Sequence, residues 1–251
     1  MTRPKVAFFD FTGCEGCQLT VVDSLQTHLD LLEAVEIVNF REAISRRDDD
    51  YQIAFIEGSC SRPADEERLR GIREQAALVV ALGACAHMGG VNAIRNRQPL
   101  QDVREYVYGE RAGWYDTYPV RLIGEVIDVD AIIPGCPIDG EEFIAAVKMM
   151  LQGRMPELPE MPMCVECKMS ENICVFTQGG ACLGPVVRGG CDSRCPSVGV
   201  GCEGCRGLLE EPNMPGYVEM LAEHGLTPTD IEHRMTLFLS HPLAQLEREG
   251  S

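Results

Sequence analysis

The 251 residues suffice for one large domain, or for a medium domain with a small companion, and can bury an apolar core without crosslinks. A net charge of −17, from 22 Lys plus Arg against 39 Asp plus Glu, opposes binding to nucleic-acid backbones and to anionic membrane surfaces. The 13 cysteines far exceed ordinary usage, with five before residue 150 and eight between Cys164 and Cys205.

From the N-terminus, residues 1–5 lead straight into an apolar run. No twin arginine or small-residue cleavage site is visible there, and no apolar stretch reaches the roughly 18 residues of a membrane helix. The expected location is therefore cytoplasmic, without membrane insertion. In that compartment thiols stay reduced, and clustered cysteines bind metals more often than they form disulfides.

Five short runs, Lys5–Phe11, Val35–Phe40, Gln52–Ile56, Ala77–Gly83 and Val129–Pro134, are apolar throughout, as strands covered on both faces are. Amphipathic segments separate or follow them, at Gln18–Ala34, Ala64–Gln75 and Asp139–Leu151. Strand then helix, repeated, predicts an α/β fold with a doubly wound parallel sheet. Functional groups of such sheets gather beyond the carboxyl ends of the strands. Cys14 and Cys17 leave the first strand, Cys85 the fourth and Cys136 the fifth, so one sheet edge would collect these four thiols as ligands of a tetrahedral or cubane metal centre.

Alternation stops after Leu151. The proline-rich stretch Gly153–Pro162 reads as a linker, which puts a boundary near residue 155 and predicts domains at 1–154 and 155–251. The second is a small irregular, cysteine-rich domain, poor in large apolar residues and expected to need its metal to fold. Its cysteines form two groups, Cys164-x2-Cys167-x6-Cys174-x7-Cys182 and Cys191-x3-Cys195-x6-Cys202-x2-Cys205. The compact, chained spacing is closer to iron–sulfur usage than to a zinc ribbon, with zinc as the alternative. From Tyr217 onward the chain is helix-like. Three sets of four leave Cys60, which is either a replacement ligand, an unliganded thiol near the first centre, or a small buried hydrophobe.

The motifs Gly13-Cys14-Glu-Gly-Cys17, Glu57-Gly-Ser59, Gly83-Ala-Cys85, Gly135-Cys136-Pro137, Cys182-Leu-Gly-Pro185, Cys191-x3-Cys195-Pro196 and Cys202-Glu-Gly-Cys205, in this order, resemble those of the small subunits of cytosolic [NiFe] hydrogenases. The resemblance spans nearly the whole chain. It implies a flavodoxin-like first domain whose Cys14, Cys17, Cys85 and Cys136 hold a proximal cluster. Cys164, Cys167, Cys174 and Cys182 would hold a distal one, and Cys191, Cys195, Cys202 and Cys205 a medial one. Periplasmic members have a His as first distal ligand and a Pro in place of the fourth medial one. Here those positions are Cys164 and Cys195, which implies three [4Fe-4S] clusters, all held through iron by these cysteines. The implied function is electron transfer between a nickel–iron site in a large partner subunit and a soluble acceptor module linked to ferredoxin, flavin or NAD, with further subunits carrying flavin or iron–sulfur clusters. An iron–sulfur subunit of a complex I-like oxidoreductase is the alternative within the fold, and a zinc-bound structural protein the alternative outside it.

No catalytic residue is expected in this chain. Glu57, at the end of the third strand, reads either as part of a proton route or as a carboxylate capping a neighbouring loop or helix. A helix beginning near Gln18 would direct its positive end at the first cluster. His87 reads as a polar loop residue. Tyr106, Tyr108, Trp114, Tyr115 and Tyr118, in an irregular stretch between the fourth and fifth strands, form either a surface for the large subunit or packing under a loop.

Overall fold

The five apolar runs pair side by side in a computed structural model of the protein, which describes residues 3–249. Among these residues, β1 (Lys5–Asp10), β2 (Glu36–Phe40), β3 (Ile53–Glu57), β4 (Leu78–Leu82) and β5 (Ala131–Ile133) form one parallel sheet in the order β2-β1-β3-β4-β5. Its register runs Phe8 to Phe55 to Val80 and ends with Asp10 beside Glu57 and Glu57 beside Leu82. That strand order is the flavodoxin-like one, with helices on both faces.

One face packs on α1 (Gly16–Thr27), α2 (Leu29–Ala34) and α6 (Gly140–Leu151). Its centre is Phe8, stacked against Phe40 at 4.3 Å and Phe55 at 4.8 Å, with Phe143 of α6 5.5 Å from Phe55. The other face packs on α3 (Pro63–Gln75) through Leu69 and Ile72. α3 begins where Pro63 presets the first turn and the buried Asp65 accepts the N–H groups of Ser61 and Arg62 at 3.2 and 3.1 Å. α6 begins at Asp139, whose carboxylate accepts the Glu142 N–H at 2.9 Å.

The amphipathic stretch 18–34 is two helices rather than one. Near the break, Thr20, Ser24 and Thr27 turn their hydroxyls back onto the carbonyls of Gly16, Thr20 and Ser24, competing with the helical ladder, and the chain leaves helical geometry at His28. Between β4 and β5 the expected irregular stretch contains α4 (Gly83–Met88), α5 (Leu100–Tyr108) and short 3-10 turns. No residue of α5 is buried; Tyr106 is 93% exposed and Tyr108 stacks on Tyr115 at 3.9 Å.

The chain divides into two compact units, one running to Glu157 and the other starting at Leu158. The second consists of α7 (Met163–Met169), the four-residue α8 (Arg194–Ser197), α9 (Met214–Glu223), α10 (Pro228–Glu249) and long loops. Isolated bridges Pro162 to Arg188 and Val187 to Leu208 tie the loops together over buried Met163, Leu183, Val187, Leu221 and Leu239. Among the described residues no helix is long and apolar enough to cross a membrane.

Phe8→Ala should lower unfolding stability by about 3–5 kcal/mol, because it empties the centre of the aromatic stack. Tyr106→Ala should stay within about 0.5 kcal/mol. Urea midpoints of the two variants check this contrast.

Candidate metal centres

Backbone hydrogen bonds draw the carboxyl ends of the strands together. Thr12 N–H donates to the Ser59 carbonyl at 3.1 Å and Ser59 N–H to the Thr12 carbonyl at 2.8 Å, joining the segments after β1 and β3. Ala84 N–H donates to the Gly135 carbonyl at 2.8 Å, joining those after β4 and β5. Gly83, with φ of +82°, lies so close to the Cys17 thiol that a Cβ at this position would collide with the sulfur, and Gly16 leaves space beside the Cys14 thiol, 3.3 Å from where its own Cβ would stand. These contacts bring Cys14, Cys17, Cys85 and Cys136 into one neighbourhood at the sheet edge.

The thiols feel one another. Burial pushes Cys17 far above the usual thiol range, and the nearby Glu57 carboxylate and Cys136 add to the effect, while a hydrogen bond from the Ile138 backbone opposes it. Cys85 is pushed up to about 12 by burial, then by Cys136, Cys14 and Glu57. Burial, Cys14 and Glu57 also raise Cys136. Thiolates packed this way repel one another unless a cation neutralises them, and metal coordination does so.

Glu57 takes the capping role. Its buried carboxylate accepts the N–H of Cys17 at 3.0 Å and of Gln18 at 2.9 Å, so it caps the first turn of α1 from the end of β3. The positive end of α1 is directed into this carboxylate, and those two N–H groups are already spent on Glu57. His87 lies half-buried on α4, two residues after Cys85.

Cys60 stands apart. Fully buried in the core on the α3 face, its sulfur lies 2.9 Å from the Tyr118 hydroxyl, which donates to Glu66 at 3.0 Å; Arg121 donates to the same carboxylate oxygen at 2.6 Å. Asp65, Glu66 and Arg121 are its charged neighbours. Of the three readings of Cys60, the structure fits the small buried hydrophobe: Cys60 pairs through backbone hydrogen bonds with Arg121 and packs in the core. Tyr118 packs there too, apart from the exposed Tyr106 and Trp114.

In the second unit, Cys164 is pushed up to about 11 by burial and then by its neighbours Cys182, Cys167 and Cys174. Burial raises Cys202 strongly, with Cys182, Cys205 and Cys191 as further causes. Cys195 is exposed on α8, and its segment is tied to Cys191 by the Arg194 N–H at 3.3 Å. Backbone N–H groups point at sulfur: Cys182 accepts from Gly184 at 3.4 Å and Cys202 at 3.2 Å, and Cys202 accepts from Gly204 at 3.4 Å. Gly184 leaves space beside the Cys164 and Cys182 thiols, 3.1 and 3.3 Å from its missing Cβ.

Three residues that sequence reasoning passed over complete the frame. Tyr217 donates its hydroxyl to the Cys182 carbonyl at 2.8 Å. The buried Glu166 accepts N–H groups around Cys191, and the buried Arg206 donates to the Gly189 carbonyl at 2.6 Å. The only available signal was position, a carboxylate inside Cys164-x2-Cys167 and a guanidinium directly after Cys205.

All 13 cysteines are free of disulfides. Among the described residues no three His, Cys, Asp or Glu side chains stand as a single metal ion would need them. A cubane is held otherwise, each thiolate at its own iron corner and backbone amides directed at sulfur. Neighbouring thiols, among them the buried Cys17, Cys182 and Cys202, with glycines that leave room beside them and N–H groups aimed at sulfur, fit such clusters.

Residues 14–150 match the family described as NADH ubiquinone oxidoreductase, 20 Kd subunit. The chain is 36% identical over 221 residues to the delta subunit of sulfhydrogenase 2 of Pyrococcus furiosus, covering 87% of this chain and 92% of that protein. It is 32% identical over 171 residues to the delta subunit of the NAD-reducing hydrogenase of Cupriavidus necator, covering 62% of this chain and 82% of the relative. A solved NAD+-reducing [NiFe]-hydrogenase in the H2-reduced state contains a chain that superposes with a TM-score of 0.55 at 28% identity, covering 63% of this chain and 96% of that one.

Glu57→Ala should remove both acceptors at the start of α1 and lower stability by about 2–4 kcal/mol, while Glu57→Gln, which keeps one acceptor oxygen, should lose less. Urea unfolding with hydrogen exchange at the Cys17 and Gln18 amides checks this. Cys60→Ala should leave bound iron unchanged and cost about 1–2 kcal/mol, measured by metal analysis and the same unfolding series.

Proposed function

The chain belongs to the iron–sulfur small subunits of [NiFe] hydrogenases, in the family described by the 20 Kd subunit of NADH ubiquinone oxidoreductase, and on that premise we propose a specific wiring for it. Its role is electron transfer; the nickel–iron site belongs to the large partner subunit. Cys14, Cys17, Cys85 and Cys136 hold a proximal [4Fe-4S] cluster within residues 1–154. Cys164, Cys167, Cys174 and Cys182 hold a distal one, and Cys191, Cys195, Cys202 and Cys205 a medial one, within residues 155–251. The convergence of four thiols from three strand ends on one sheet edge is the observation that carries this reading.

When bound, such clusters accept and pass single electrons. The chain's own residues determine how. Thiolates anchor the irons, and N–H donors to Cys182 and Cys202 favour the negative sulfur over the neutral thiol. Glu57 holds the Cys17 backbone in place and, with Phe8, Phe55 and their neighbours beneath it, fixes the rim of the sheet on which the proximal thiols stand. Proximity of Glu57 to Cys17, Cys85 and Cys136 also places a negative charge beside the proximal set, which lowers the potential of a cluster held there.

Electrons from the partner's nickel–iron site would enter where Cys14, Cys17, Cys85 and Cys136 hold a cluster and would pass to a soluble acceptor module in the cytoplasm, linked to ferredoxin, flavin or NAD. The eight cysteines of the second unit favour this reading over that of a complex I-like subunit, for which the first unit would be enough.

Purified anaerobically with its large subunit, the protein should contain about 12 iron atoms per small subunit. Cys85→Ser should lose about four of them and reduce hydrogen-dependent dye reduction by at least about tenfold. Metal analysis and the dye assay check both. A colourless preparation containing zinc and no iron would contradict the proposal.

A further inference from the structure

The loop Gly189–Ser193 carries Cys191, and two buried side chains of opposite charge hold it. Glu166, on α7 between Cys164 and Cys167, is 7% exposed; its carboxylate accepts the N–H groups of Gly190, of Cys191 at 3.2 Å and of Ser193 at 3.2 Å. Arg206, directly after Cys205, is 3% exposed; its Nε donates to the Gly189 carbonyl at 2.6 Å and its guanidinium lies against Gly190. Each Cys-x2-Cys pair of the second unit thus sends one ionic side chain into the same turn.

The turn is shaped to receive the carboxylate. Asp192 and Ser193 both adopt left-handed backbone, at φ of +53° and +51°, and Gly190 stands at +100°. Consecutive residues in such conformations turn their N–H groups toward one point, an anion-binding concavity. At Gly189 a Cβ would stand 3.1 Å from the Glu166 carboxyl carbon, a tight contact that glycine avoids. Three donors on one carboxylate exceed what a surface cap provides, and hydrogen bonds to a charged acceptor are the strong ones. Nothing in cluster ligation itself calls for a buried carboxylate here, since the thiolates of the two sets already supply the negative charge.

We infer that Glu166 is a positioning residue that locks the Cys191 loop to the helix bearing Cys164 and Cys167, making the two clusters of the second unit assemble as one body and setting the potential of the cluster bound by Cys191. The inference rests on the cluster reading above. Glu166 and Arg206 are buried charges of opposite sign held on the turn that carries Cys191, the carboxylate on its N–H groups and the guanidinium on the Gly189 carbonyl. Removing the carboxylate leaves Arg206 unopposed, and the reduced, more negative cluster becomes easier to form.

The test uses the anaerobically purified complex with its large subunit, in wild-type form and as Glu166→Gln and Glu166→Ala, with iron analysis and a redox titration followed by electron paramagnetic resonance. In Glu166→Gln the signal of the Cys191 cluster should move to higher potential, by about a tenfold change in its oxidised-to-reduced ratio at fixed ambient potential, about 59 mV for a one-electron couple. The proximal cluster serves as internal control and should not move. Glu166→Ala should lose iron from both clusters of the second unit, falling from about 12 to about four atoms per chain. Unshifted potentials in Glu166→Gln together with full iron in Glu166→Ala would overturn the inference and leave the cluster reading standing. If Glu166→Ala fails to accumulate, the Glu166→Gln potential alone decides. A wild-type complex with no second-unit iron would overturn both.

Discussion

At the end of β3 a buried carboxylate receives two N–H groups from the first turn of α1, and the site at the sheet edge depends on that contact between Glu57 and Cys17–Gln18. A helix leaves its first N–H groups without partners, and burying them unpaired costs about as much as a lost hydrogen bond each. Glu57 meets this need from a neighbouring strand rather than from the helix's own cap position, where Glu15 offers no side-chain hydrogen bond. The consequence is rigid coupling. β3, the central strand of the sheet, sets where α1 begins, and therefore where Cys17 lies against Gly83 and the β4 end.

The second unit solves the same problem with less apolar material. Its loops bury few large side chains, so polar ties carry more of the order. Glu166 and Arg206 both hold one turn, Tyr217 holds the Cys182 carbonyl, and Leu183 N–H donates to the Cys202 carbonyl at 2.8 Å. Buried thiols are poor thiolates on their own, since burial raises every resolved one and neighbours of like charge raise it further. Metal binding reverses that balance, and the free energy of ligation becomes free energy of folding. A frame whose donors and glycines already surround the sulfurs restricts the ways iron can be held.

Much of this was legible from the sequence because it follows from pattern. Apolar runs such as Gln52–Ile56 read as strands covered on both faces, and the cysteines after three of the strands share an edge once the sheet is parallel. Three features were not legible. The helix break at His28 depends on hydroxyl groups turning inward, a choice the apolar periodicity does not record. The direction in which Cys60 points follows from its bridge to Arg121, 61 residues away in the chain and joined only by tertiary pairing. Glu166 looked like any surface carboxylate of an acidic chain, because its three donors come from a turn more than 20 positions downstream that is shaped by left-handed residues.

For a hydrogenase small subunit, the central claim is that this frame holds three four-iron clusters rather than a mixture of types. In the proposed wiring it turns on Cys164 and Cys195, which would complete the distal and medial sets with thiolates. Mössbauer spectroscopy of the iron-57-enriched complex, as isolated anaerobically and after reduction with hydrogen, measures cluster type directly. The account predicts that all the iron of the small subunit falls into [4Fe-4S] components, about equal in three parts, and that hydrogen reduces them. A three-iron component at about a quarter or more of the small-subunit iron would contradict it.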